Sequence, residues 1–180
     1  MPGASVTPGF FGKIPATGDF VARGLPGPFV RFWDRFVAQH LMPFVAEGML
    51  ANDVSLGFLG GREIEGPVAG VILPSTDKVG RRFPLTIASP IAVASADLSH
   101  AHWNWFDAVR TCAVPALDGE IGADDLAARL AALPFPTDAF PAEAIDGLLV
   151  WRDRDRSSIV DPSSPQADLE RLLALSPEAG

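Results

Sequence analysis

Phe29, Trp33, Phe36, Val37, Leu41 and Phe44 recur at three- and four-residue steps, with His40 on the same side. That spacing lines them along one face of a helix. Arg31, Asp34, Arg35 and Gln39 fall largely on the other face. Pro28 suits the first helical position, where its missing N–H has no partner to lose. Pro43 is expected to kink or end the helix, because its ring clashes one turn back. His40 is expected to be partly buried and hydrogen-bonded. Ahead of this helix, residues 9–15 carry too many glycines and prolines for a long regular element and predict a short strand within 6–12, followed by a turn at 16–19.

Three short apolar runs follow, at 54–59, 67–73 and 83–93, and each predicts a strand. Gly60-Gly61 and Gly66-Pro67 flank the first connection, a pattern suited to an antiparallel hairpin. The second connection, 74–82, is longer and more polar. Ser99 can cap a second helix carrying Trp103, Phe106, Val109, Val114 and Leu117, with Pro115 disturbing its last turn. Trp105 and Cys112 make that helix apolar on more than one side, which predicts burial between layers. Asp124 and Asp125 open a third helix at the positive end of its dipole, with Leu126, Leu130 and Leu133 as its stripe and Pro134 and Pro136 as its stop. Residues 147–151 predict another strand and 152–156 a charged, solvated loop. Ser164-Pro165 starts a final helix with Leu169, Leu172 and Leu173. Consecutive short strands joined by tight turns predict a mainly antiparallel sheet flanked by helices, an α+β fold, in a single domain over 1–180.

Composition narrows the function. The 180 residues are 48% hydrophobic and 20% charged, ordinary for a globular chain that buries enough surface to fold without a metal or disulfide. The net charge of -8 and pI near 4.7 disfavour nucleic acid and anionic membranes as partners, since both would be repelled at long range. Cys112 is the one cysteine, so an intrachain disulfide is impossible and a cysteine zinc site is not expected. The N-terminus lacks a basic stretch followed by an apolar run, and the most apolar segment, 85–96, is too short to span a bilayer. A cytoplasmic location is expected.

Standard site patterns are absent. Gly9 lies too close to Gly12-Lys13 for a phosphate-cradling loop, and Ile14 stands where a Ser or Thr is needed. The glycines at 57, 60 and 61 do not fit a dinucleotide fingerprint. His100 and His102 sit at alternate positions, which do not share a helix face, and read as solvated helix-start residues. Cys112 among apolar neighbours reads as a packed thiol, and no histidine-rich constellation supplies a hydrolase base. No metal and no cofactor is expected.

Two segments stand out, residues 9–26 and 74–86. Each combines glycines with charges of both signs and aromatics of the kind found in cores. Asp19 and Asp77 are candidates to order their loops by accepting from backbone amides, with Arg23, Arg81 and Arg82 paired to them. Lys78, Arg81 and Arg82 are candidates to reach a partner's carboxylates or phosphates. An enzymatic alternative stays open, a hydrolase or phosphatase-related activity with Asp19 or Asp77 as base or metal ligand.

At these segments the chain resembles the TagF (ImpM) family associated with bacterial type VI secretion. Gly9-Phe-Phe-Gly12-Lys13-Ile-Pro15, Gly18-Asp19-Phe-Val21 and Arg23-Gly-Leu-Pro26 match its first motif, with Phe29 and Trp33-Asp34 following. Pro74-Ser75-Thr-Asp77-Lys78-Val-Gly80-Arg81 through Thr86 matches the second, except that Arg82 stands where an aromatic is usual. The likeness is best over 9–90. It implies an accessory protein that controls assembly or firing of the secretion machine after translation, by protein-protein binding and without catalysis. It also implies a forkhead-associated scaffold protein as partner. The order of elements is loosely similar to longin-like adaptor modules as well.

Overall fold

Side chains alternate across the strands of an antiparallel sheet, and helices cover both of its faces. The computed structural model describes residues 6–51, 53–137 and 143–174; residues 1–5, the start of the stretch inspected for a leader, lie outside the described residues. Among the described residues the sheet has seven strands in the order β2-β1-β5-β4-β3-β6-β7. These are β1 (Gly9–Gly12), β2 (Val21–Arg23), β3 (Leu56–Gly60), β4 (Val68–Leu73), β5 (Leu85–Pro90), β6 (Leu148–Asp153) and β7 (Arg156–Val160). Every neighbouring pair is antiparallel, so the α+β expectation holds. The expected hairpin forms too: β3 and β4 pair from Leu56↔Ile72 to Gly60↔Val68, around a short 3-10 turn at Arg62–Ile64.

On one face Phe11, Phe58, Ile72 and Val150 meet the helix α1 (Gly27–Phe36), the short α2 (Met42–Ala46) and α5 (Gln166–Leu173). On the other, Phe10, Leu59, Val71 and Trp151 meet α3 (His100–Leu117) and α4 (Ala123–Leu130). Each of the five inner strands, β1, β3, β4, β5 and β6, thus divides its odd and even positions between two cores, as a period of two requires. Because both faces are covered, the central strands read as unbroken apolar runs. Gly57 permits one tight contact: a Cβ there would lie 2.3 Å from the indole of Trp151, which packs across it from β6.

Several expectations are corrected. Of the two outcomes expected of Pro43, a kink or an end, the helix does not end there but changes register. A π-helical turn, Val37–Leu41, precedes it and the chain continues helically to Ala46, since a widened turn makes room for the proline ring. Pro115 lies in the last turn of α3, where it was expected, two residues before the helix ends at Leu117. That helix lies on one sheet face beside α4, with Asn104, Asp107 and Val114 turned outward, so it is not enclosed between layers. His102 is buried: its Nδ1 accepts the Ser99 N–H at 3.0 Å and its ring stacks on Phe135. The pairing of the two helix-start histidines as equally solvated therefore fails, because the third helical position turns back toward the cap.

Strands β2 and β7 were not expected, and 152–156 is not a loop. Arg152 and Asp153 extend β6, and Arg156 opens β7. Asp153 converts the charge run into a tight turn by accepting from Asp155 N (3.1 Å) and Arg156 Nε (2.7 Å).

Candidate functional site

Because β1 and β5 pair antiparallel, Phe11 opposite Thr86, the chain leaving β1 and the chain entering β5 lie at the same end of the sheet. The two glycine-rich segments therefore meet. Gly12 makes the close approach possible: its φ of +143° is poorly suited to other residues, and a Cβ would stand 2.2 Å from the Pro84 carbonyl.

Asp77 is the centre of the joint. Its side chain is 0% exposed, yet it carries four hydrogen bonds. Oδ2 accepts from Lys13 Nζ at 3.0 Å and Arg81 Nε at 2.7 Å; Oδ1 accepts from the backbone N–H groups of Val79 and Arg81, each at 3.0 Å. Burial pushes this carboxyl upward, but the bonds from Lys13, from the backbone and side chain of Arg81 and from Val79 outweigh it. The net result holds Asp77 well below the usual carboxylate range, as a charge-assisted cluster should. Backbone contacts close the loop further: Asp77 N donates to Arg81 O at 3.0 Å and Gly80 N to Asp77 O at 3.0 Å.

The remaining contacts bolt one segment to the other. Ser75 Oγ donates to Lys13 O at 2.6 Å, Lys78 N to Thr17 O at 2.8 Å and Arg81 Nη2 to Gly18 O at 3.1 Å. Lys13 Nζ also lies 5.0 Å from the centre of the Phe20 ring, within cation–π range. Phe20 stacks on Phe11 at 5.8 Å and meets Phe83 edge-on at 4.8 Å. One side of Phe20 stays open, 46% exposed, and Val79 is 72% exposed. Lys78 and Arg82 are exposed with no side-chain partner among the described residues, while the Arg81 side chain is 64% exposed although its Nε and Nη2 are bonded. The joint thus presents cations and two apolar side chains on its outer surface.

Other candidates lie differently. Asp19 is exposed; its carboxylate accepts from its neighbour Phe20 N at 2.7 Å and its carbonyl from Thr17 Oγ1 at 3.1 Å. Arg23 pairs with neither expected acid. It sits on the β2 edge beside α4 and meets Asp124 at 3.4 Å. Arg82 pairs with neither as well, because it follows the turn that Asp77 closes and lies opposite Thr76 in an isolated bridge. Trp33 is buried in the first core, where Nε1 donates to Thr86 Oγ1 at 2.7 Å and the ring stacks on Phe58 at 4.5 Å. Asp34 faces solvent from the opposite side of α1. Asp19 and Asp77 share no hydrogen-bond partner, and four donors occupy the acceptor sites of Asp77. Among the described residues no group of three or more His, Cys, Asp or Glu is placed to hold a metal ion, and no helix is long and apolar enough to cross a membrane.

Beside the joint lies a cleft of about 200 Å³, walled by Val45, Leu50, Ile72, Pro74 and Pro84, with Thr76 and Arg82 at its polar side. The sequence reading missed it, along with the part played by Phe20. The cleft draws on α2, its following loop and the ends of β4 and β5, which no local spacing connects. For Lys13 there was a usable signal: lysine occurs only at positions 13 and 78, one in each segment.

Comparison with known proteins gives a family and a fold neighbour. The model of the TagF N-terminal domain family, type VI secretion system-associated, matches residues 9–133, which take in both segments and end before β6, β7 and α5. A crystal structure of PA0076 from Pseudomonas aeruginosa PAO1 is similar at 30% identity and a TM-score of 0.61, covering 73% of this chain. The match spans 64% of that protein's chain. No curated protein matches.

Proposed function

The chain belongs to the TagF N-terminal domain family, and is thereby associated with type VI secretion; from this premise we propose that it is a cytoplasmic accessory regulator, acting by protein-protein binding through the outer surface of the joint. The observation that carries this reading is the contrast between the inside and outside of that joint. Inside, Asp77 is saturated by Lys13, Arg81 and two backbone amides, which suits a rigid support and not a proton-transferring base. Outside, Lys78, Arg81 and Arg82 stand beside exposed Phe20 and Val79. Rigid loops displaying an aromatic ring and arginines have the makeup of interface hot spots.

The partner on this reading is a component of the secretion apparatus, with the forkhead-associated scaffold protein as the first to examine. The result of binding is control of assembly or firing after translation, with residues 1–180 working as one TagF-like (ImpM-like) unit. The basic loop faces a partner surface of opposite charge, which speeds encounter and makes it salt-sensitive.

The test is the double variant Lys78→Glu/Val79→Asp, whose side chains support nothing inside the joint. Calorimetry with the purified scaffold should show association for the native chain and about tenfold weaker binding for the variant, at an unchanged melting temperature. Absence of any association, together with unaltered secretion after deletion of the gene, refutes the proposal.

A further inference from the structure

The cleft beside the joint has a composition that its surroundings do not explain. Its walls are apolar, yet Arg82 at its polar side meets no carboxylate among the described residues. We propose that this cleft takes one apolar side chain from an acidic peptide segment of the partner, and that the Arg82 guanidinium binds the carboxylate next to it. The inference rests on the protein-binding reading above and adds the chemistry of what is bound.

Size, charge and geometry each support it. About 200 Å³ lies below the ~300–1,000 Å³ typical of small-molecule and cofactor sites, and suits a single anchoring side chain. The chain as a whole carries -8, but this corner is locally positive. Asp77 is enclosed and matched by Lys13, so Lys78, Arg81 and Arg82 outnumber the exposed Asp19 on the outer surface of the joint. The acids of the neighbouring loop, Glu47 and Asp53, do not line the cleft. Among the described residues Arg82 is the one charged side chain lining the cleft, and its exposed guanidinium supplies the point charge that an acidic ligand meets there. A planar guanidinium beside an apolar wall holds a carboxylate through two parallel N–H···O bonds while the adjacent side chain leaves water. Val45 on α2, Leu50 in the loop after it and Ile72 on β4 supply that wall, and all three belong to the core beneath, so the wall exists before any ligand arrives.

The experiment titrates the full isotope-labelled chain with the capped peptide Glu-Leu-Glu-Phe-Glu and follows amide resonances. Shifts should concentrate at the cleft residues and at Arg82. The same peptide with Gln in place of Glu should bind about tenfold more weakly or worse, as should Arg82→Ala with the acidic peptide. Ala51→Trp, an exposed position on the cleft rim, should block binding, whereas Arg35→Ala on the exposed face of α1 should leave it unchanged. No shifts at the cleft, or equal affinity in Arg82→Ala, overturns the inference. So does inorganic phosphate binding as tightly as the acidic peptide, since the apolar wall would then contribute nothing. The scaffold separates this idea from its premise. If Lys78→Glu/Val79→Asp weakens scaffold binding but Ala51→Trp does not, the cleft is not the anchor site and the regulator reading stands. If the scaffold never binds while the acidic peptide fills the cleft, the choice of partner falls and the cleft remains.

Discussion

Asp77 and Trp33 show how single side chains hold this end of the molecule together. The Asp77 carboxyl is depressed in the folded chain from an ordinary value of 3.8. Below that pH the unfolded chain takes up a proton that the folded chain still refuses, so stability falls as pH drops. The Asp77 contribution is complete at neutral pH and vanishes once pH passes the depressed native value. Asp153, lowered mainly by its hydrogen bond from Arg156, acts in the same direction and window. Asp77→Asn should therefore melt lower at pH 7 and show a shallower loss of stability below pH ~4 than the native chain, as read by thermal unfolding across a pH series. His40, lowered by burial, adds a separate decline that begins near pH 6.5 and persists in that variant. In the first core, Trp33→Phe removes the donor to Thr86 and leaves a buried hydroxyl unpaired, a cost of about 1–3 kcal/mol. The double variant Trp33→Phe/Thr86→Val should recover part of it, because both polar groups are then gone; urea unfolding of the four proteins gives the coupling directly.

At the scale of elements, the meeting of β1 and β5 places the site. Gly12→Ala must adopt an unfavourable φ and push against the Pro84 carbonyl. A loss of about 3 kcal/mol or more is expected in denaturant unfolding, with the Lys13–Asp77 contact disturbed. Element type was readable where one face is strongly apolar. Residues 29–44 announce a helix, and 166–173 do so through Leu169, Leu172 and Leu173, all buried on the sheet. It was unreadable at both sheet edges. In β2 only Val21 is buried, and three residues are too few to display a period. In β7 Ile159 points outward and Val160 inward, so the hydrophobic pattern runs against the usual rule, and its polar outer positions are those of an edge strand. The π-helical turn before Pro43 was also invisible, since a change in hydrogen-bond register leaves the spacing of apolar residues almost untouched.

For the whole molecule, the sheet belongs to both cores at once, so neither should unfold alone. Leu172→Ala on α5 and Leu126→Ala on α4 remove fully or nearly buried side chains from opposite layers. Each should lower the same transition by about 2–5 kcal/mol, with tryptophan fluorescence and far-ultraviolet circular dichroism remaining coincident. Two separate transitions would show that the layers are independent. The sequence alone determined the α+β class, most strands and helices, and the two segments to watch, because those properties follow from local periodicity, turn residues and short motifs. Tertiary structure alone decided that the segments share one joint, that Lys13 and Asp77 lie inside it, and that Arg82 borders a cleft. Those facts depend on strand order and on contacts between residues more than sixty positions apart, and the order in which a chain brings its strands together is written in no local pattern.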